Sequence, residues 1–445
     1  MDRYMTEGSI RRKIIGFDIP IFVGYLFQQL YNTADSLIVG NYLGENALAA
    51  VSSNAAFIYL FVGFFMGFAT GAGVVIARHI GAGDPLQTSL AVHTTVAMGL
   101  AFSVLVSVLG VVVTPVMLRW MGTPPEVFTE SCKYLKIYFA GSTGLVMYNM
   151  LVGILQASGD SRHPLVYLVI SSLVNVALDV LFVAGFRMGV DGAAWATVIS
   201  QFLSMLLAAS RLLRADSAIR VDPRRVRFDR ENLRMIVQNG LPTALQACVI
   251  DLSNLLIQSY INSFGSLAMA GIGASTKVEG FAFLPVTAFQ MAVTTFVSQN
   301  MGARKYDRVR QGIRFGLLCT IVVIEVLGAV VFLLAPQIIG LFNRNPEVIR
   351  FGMGRARVCA LFYCLVGFSH VASAVMRGLG KPVTPMIIML TCWCAVRILV
   401  LFTLGQALHD IRLAFWIYPF TWALSSAVYV ILLKRLHVEQ LASQC

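Results

Sequence analysis

The chain has 445 residues, 57% of them hydrophobic and only 13% charged, with a formal net charge of +12. A soluble globular domain carries roughly a quarter charged residues, so this composition excludes that class and points to the lipid bilayer. Twelve apolar stretches are each long enough to cross about 30 Å of hydrocarbon. They run approximately over 14–39, 48–77, 88–118, 128–156, 163–187, 190–213, 232–264, 267–298, 313–340, 352–376, 383–405 and 411–433. Lipid offers backbone groups no partner, so such runs must be helices. A β-barrel would show short alternating segments instead.

In the first span, Arg11, Arg12 and Lys13 precede a full-length apolar run, which reads as a retained helix and not a cleaved signal. Gln28, Tyr31, Asn32 and Asp35 fall at i, i+3, i+4 and i+7, forming one polar stripe on an apolar helix. Pro20, fifteen residues before Asp35, removes a helical hydrogen bond and offers a place to bend. A charge at mid-membrane costs about 2.5–3.5 kcal/mol, so Asp35 is a functional candidate by default. The plainer reading is a stripe that glues helices together.

In the fifth span Asn175 and Asp179 are i, i+4 and share a face. Thr197 in the sixth span, with Gln201 one turn on, completes a set of oxygen ligands. Two carboxylates, an amide oxygen and a hydroxyl suit a sodium ion or a proton equally. Carboxylates close together in a poorly solvated site do not both stay ionised easily. A satisfied polar network is the structural alternative.

The Arg-rich stretch at 214–230, containing Pro223, separates an N-terminal six-helix bundle (1–213) from a C-terminal one (231–445). Lys and Arg concentrate on the side that holds the N-terminus and this linker, which predicts both termini in the cytoplasm of a multi-pass plasma-membrane protein. The linker reads as a topology determinant that meets anionic lipid, not as a nucleic-acid site.

In the second half Asp251, Asn254 and Gln258 form another i, i+3, i+7 stripe. Lys277 and Glu279 lie in the eighth span and Arg397 in the eleventh. Two acids and two bases suggest internal neutralisation, or equally a substrate or coupling role. Glu325 stands alone within Thr320–Gly328, and a partner on a neighbouring helix is the one account of it. His93 and His370 read as packed helix-face residues, and the eight cysteines as small packers rather than ligands or disulfides. No metal-ligand spacing or phosphate loop is present, so no cofactor is expected. Energy comes from an ion gradient, or transport is passive.

The two halves repeat. Pro20 recurs as Pro242, Gly81-Ala82 as Gly302-Ala303, and Gly159 with Pro164 as Gly380 with Pro385, about 221 residues on. The 44–49 stretch matches 265–270 in the same way. Duplicated hydrophobic halves mark secondary transporters. Each half holds an even number of spans, which relates the two by an axis along the membrane normal.

The chain resembles a bacterial member of the multidrug and toxic compound extrusion (MATE) family, within the superfamily that includes polysaccharide and lipid-linked sugar flippases. The resemblance covers the full length. It rests on Pro20, the run Gln28-Gln29-Leu30-Tyr31-Asn32-Thr33-Ala34-Asp35, Val39-Gly40, Leu43-Gly44, the 47–51 run, Asn175–Asp179, Gly192–Thr197, Gly240-Leu241-Pro242 and Gln299–Ala303. It implies an all-α membrane protein of twelve helices in two pseudo-symmetric six-helix bundles, exporting organic, often cationic and aromatic compounds in exchange for protons or sodium ions. It further implies a cation site at Asp35, Asn175, Asp179 and Thr197, with Pro20 as the hinge of the first helix. Other members of the family use an acid in the seventh helix, which Asp251 approximates, and a second in the tenth, where this chain has none. The expected partners are small organic cations and lipid, the expected metal is none beyond sodium, and a monomer is expected. A lipid-linked sugar flippase shares the architecture, but should carry more Arg and Lys within its spans than Lys277 and Arg397.

Overall fold

The structure, a computed structural model, describes residues 4–436 other than 44, 121 and 216; the side chains of 36, 37, 40, 41, 45–57 and 59 also fall outside the described set. The motif positions Gly40, Gly44 and 47–51 thus lie outside the residues whose side chains are described. Every regular element among the described residues is helical. The first half holds α1 (Ile10–Leu43), α2 (Glu45–Ala82), α3 (Pro85–Trp120), α4 (Pro125–Ala140), α5 (Ser142–Ala157), α6 (Arg162–Asp179), a π turn over Val180–Gly185, and α7 (Val190–Leu213). The second holds α8 (Arg230–Asn262), α9 (Ser266–Ala282), α10 (Leu284–Gly302), α11 (Tyr306–Gly340), α12 (Pro346–Ala360) and α13 (Tyr363–Gly378). It continues through α14 (Val383–Met389), α15 (Val396–Val400) and α16 (Gln406–Leu408), with π turns over Leu390–Ala395 and Leu401–Gly405, and ends in α17 (Arg412–Lys434). Among the described residues ten helical stretches are long and apolar enough to cross a membrane, and two bent pairs, α4–α5 at 47° and α12–α13 at 56°, bring the number to twelve where each pair counts as one span.

Packing divides the chain into two units, Val23–Ala244 and Asp2–Phe22 with Leu245–Cys445. These differ from the sequence halves 1–213 and 231–445 in their entry helices. Residues 10–22 of α1 belong to the second unit, and residues 230–244 of α8 to the first. Both divisions fall just beyond an intrahelical proline, Pro20 and Pro242. Proline removes one backbone hydrogen bond, so the two parts of each helix are less firmly tied to one another.

Within the first unit α5 packs against α2, α3 and α7. The start of α8 approaches α2 so closely that a Cβ on Gly71 would lie 2.3 Å from the Gly240 nitrogen. The linker is part of this body, because Ala215, Ile219 and Val221 are buried in its core. Arg220, Arg224, Arg225 and Arg227 remain exposed. The Asp222 N–H donates to His93 Nε2 at 3.0 Å, and His93 Nδ1 donates to the Ser89 carbonyl at 2.7 Å, so this histidine is a packed structural residue. Asp229 caps α8 by accepting from the Asn232 backbone N–H at 3.0 Å and its side chain at 2.9 Å. Those two bonds hold its carboxyl below the usual range.

The same device recurs in the second unit. In the first, His79 donates to Asn232 at 3.1 Å, and the Asn232 amide donates to Gln87 at 3.1 Å. At the positions 221 residues further on, Asn300 and Arg308 donate to the Met5 carbonyl at 3.3 and 3.1 Å, and Arg308 also to the Gly8 carbonyl at 2.8 Å. Each repeat therefore uses its second-to-third-span turn to hold the segment that leads into an entry helix.

In the second unit α9 and α12 meet backbone to backbone. A Cβ on Gly271 would lie 2.4 Å from the Val348 oxygen, and one on Gly352 2.6 Å from the Gly271 oxygen. Such small-residue contacts replace the hydrophobic drive that lipid withholds. Gly271→Leu is expected to lower stability by about 1–3 kcal/mol, read as a fall in the unfolding midpoint of the detergent-solubilised protein. Gly273→Leu, whose added Cβ meets nothing within 4 Å, should leave the midpoint unchanged.

Candidate functional site

The first unit gathers its polar groups around Asp35 of α1 and Asp179 of α6. Their carboxyl groups lie within hydrogen-bonding reach of each other. Two acceptors that face one another form a hydrogen bond only when one carries a proton; otherwise a cation must lie between them. Asp179 is fully buried, and Asn175, one turn earlier on the same helix, is 2% exposed. Neither oxygen of Asp179, neither polar atom of Asn175, nor Oδ1 of Asp35 has a hydrogen-bond donor or acceptor proper to it in the protein. Buried polar atoms are satisfied nine times in ten, so five unpartnered ones on these three residues make this the candidate site of the first unit.

Thr197 of α7 spends its proton on the Ala193 carbonyl at 3.0 Å, which leaves its oxygen free to accept. Tyr134 of α4 lies beside both carboxyls and within hydrogen-bonding reach of Thr197. It therefore links Thr197 to the acid pair. Gln201 donates to the Tyr138 hydroxyl at 3.5 Å, while its own oxygen has no partner. The two tyrosines carry no formal charge, so a search for charges inside apolar spans passes over them. Their signal was the i, i+4 spacing in the middle of the fourth span. Asp179 is followed at once by the π turn over Val180–Gly185, an irregularity frequent at functional sites. Gln28, Tyr31 and Asn32 lie half-buried along α1, and Pro20 lies within the unbroken helix.

The second unit departs from the expected pairing. Glu279 pairs with Arg355 at 2.7 Å, not with Lys277 or Arg397. Lys277 is exposed, its ammonium 5.9 Å from the centre of the Phe342 ring. Asp251 is half-buried and forms no ion pair among the described residues. Arg355 also donates to Ser275 at 3.0 Å. Arg377, likewise overlooked as an intramembrane base, is 3% exposed and donates to Ser373 at 2.8 Å. The interior thus holds more positive charge than Lys277 and Arg397 suggested. Both overlooked arginines stood in the sequence within or at the end of the tenth span, and only their depth was hidden.

Arg397 donates to Thr421 at 3.0 Å and, weakly, to Asn254 at 3.5 Å. Gln258 turns instead to Asn262, at 2.9 Å. Glu325 finds a use too. It accepts from the Cys364 N–H at 3.0 Å, satisfying a free donor in the first turn of α13. His370 packs edge-on against Trp393 at 5.3 Å. Because Glu279 alone neutralises Arg355, Glu279→Gln is expected to cost about 3–5 kcal/mol of stability by stranding a buried charge. Lys277→Gln should stay within about 0.5 kcal/mol; denaturation of the purified protein separates the two.

The MatE family model matches residues 20–181 and again residues 242–403. The probable multidrug resistance protein YoeA of Bacillus subtilis is 28% identical over 428 residues, covering 94% of this chain and 92% of that protein. The FAD transporter of Shewanella oneidensis is 24% identical over 421 residues, covering 92% of each. Among solved structures, a MATE in complex with MaL6 superposes with a TM-score of 0.91 at 23% identity, over 99% of both chains.

Proposed function

Because the chain belongs to the MatE family of multidrug efflux transporters, and so is a multi-pass membrane transporter and not an enzyme, we propose that it exports organic compounds in exchange for protons or sodium ions held at Asp35, Asn175, Asp179 and Thr197. The observation that carries this reading is the facing pair of carboxyls in the first unit, Asp179 buried and Asp35 half-buried, with no cationic partner among the described residues. With the site empty it is anionic and favours a cationic, aromatic compound elsewhere in the transport path. Proton or sodium uptake removes that charge and weakens the attraction. Charge removal on α1 also changes what that helix must be solvated by, and Pro20 supplies the weak point at which the helix can bend.

The carboxylates suit either ion. A proton would sit between the two oxygens; sodium would draw in the Asn175 and Thr197 oxygens as well. The membrane potential contributes about 2.3 kcal/mol per charge per 100 mV, so exchange of two ions for one monovalent cation is driven by voltage. The relatives carry differing cargo in their names, drugs for one and FAD for another. Organic cations remain the proposed substrates, since the acidic site is the one placed to compete with them. The plasma membrane with both termini cytoplasmic is the proposed setting. A monomer suffices, because every proposed ion ligand comes from one chain.

The test is efflux of a fluorescent organic cation from proteoliposomes, with pH and sodium gradients imposed one at a time. One of the two gradients is expected to drive export. Asp35→Asn and Asp179→Asn should each reduce it to the level of protein-free vesicles while the protein still inserts. Export by either variant at the wild-type rate would remove that carboxyl from the mechanism.

A further inference from the structure

The repeat places a second site where the first unit has its acid pair, and there the charge is reversed. At the register of 221 residues, Tyr134 corresponds to Arg355, Thr197 to Tyr418 and Asp179 to Val400. Asp35 falls opposite the apolar Leu256 and Ile257. Neither acid is retained. Arg397, one turn before the counterpart of Asp179, enters the same place from the equivalent helix. The guanidinium groups of Arg355 and Arg397 lie 4.8 and 4.6 Å from the centre of the Tyr418 ring, and Arg397 lies 5.1 Å from that of Trp393.

The two arginines are not equivalent. Glu279 neutralises Arg355, whereas Arg397, 1% exposed, has no carboxylate among the described residues. Its Nη2 has no partner, and its Nη1 has only the long contact to Asn254. Arginine cannot shed its proton to escape this position. Aromatic faces offset part of the desolvation, but a buried guanidinium with a free edge still calls for a counter-charge. Two of the groups around it are not sealed in the interior, since Asn254 is exposed and Tyr418 half-buried. Two π turns bracket Arg397, over Leu390–Ala395 and Leu401–Gly405, as a single one follows Asp179 in the first unit.

We propose that the second unit binds a singly charged oxyanion, a carboxylate or phosphodiester, on the Nη1–Nη2 edge of Arg397, with the aromatic body of the ligand against Tyr418 and Trp393. One uncompensated charge matches one negative charge, and the planar fork matches two oxygens. The inference rests on the chain being a transporter and does not depend on ion coupling at Asp35.

The test uses the full chain in phosphatidylcholine nanodiscs without any ion gradient, so the failure of coupled export and the failure of anion recognition are read separately. The probes are 1-pyrenebutyrate and its uncharged amide, followed by energy transfer from tryptophan. The wild-type protein is expected to bind the acid about tenfold more tightly than the amide. Arg397→Gln should bring that ratio to about one. Asn254→Asp, which sets a carboxylate against the guanidinium, should do the same with Arg397 intact, and decides the matter if Arg397→Gln does not fold. In maltoside detergent micelles, which hold no phosphodiester, acid binding as tight as in the discs assigns the site to a free ligand; binding several-fold tighter than in the discs assigns it to a lipid phosphodiester that the discs supply. Equal affinity for acid and amide in the wild type, or an acid preference that survives both substitutions, overturns the proposal.

Discussion

In hydrocarbon a polar group is satisfied by the protein or not at all. That constraint organises the whole molecule. It forces the backbone into helices, and it makes each buried side chain that lacks a partner a place where something else must come. In the first unit those atoms collect on Asp35, Asn175 and Asp179; in the second, on Arg397 and its neighbours. Many other polar groups are spent locally, as Thr95, Ser103 and Thr114 are on the carbonyl four residues back along α3.

The duplication supplies two copies of one scaffold, and substitution gave them opposite electrostatics. Fourth and tenth spans are bent at matching positions, and fifth and eleventh spans carry π turns at matching positions. On that common frame the first copy presents two acids with tyrosine, amide and hydroxyl groups. The second presents two guanidiniums with tyrosine and tryptophan, one of them neutralised by Glu279. The entry helices add a second shared feature. Each carries its proline close to where its packing changes from one unit to the other.

Some errors of the sequence reading have a common cause. Lys277 and Glu279 are two residues apart, which places them on different faces of α9; the first is exposed and the second faces Arg355, 76 residues away. Composition made Asp251, Lys277, Glu279 and Arg397 look like a self-neutralising set, but helical geometry turns Lys277 away from the face that Glu279 presents. Glu325 does find its partner on a neighbouring helix, but that partner is a backbone N–H, which leaves no trace in side-chain chemistry. Tyr134 was passed over for the opposite reason. A tyrosine in an apolar span is ordinary until it is found beside two carboxyls.

The chain's sequence by itself determined the membrane class, the twelve spans, the duplication and the acids of the first unit, because run length, period and a charge inside an apolar run are properties along one dimension. Tertiary structure alone decided which charges pair, which atoms go unpartnered and which unit each entry helix joins. Those outcomes depend on distances between helices remote in sequence. In a medium of low dielectric constant, a few ångströms separate a neutralised arginine such as Arg355 from one left open, such as Arg397.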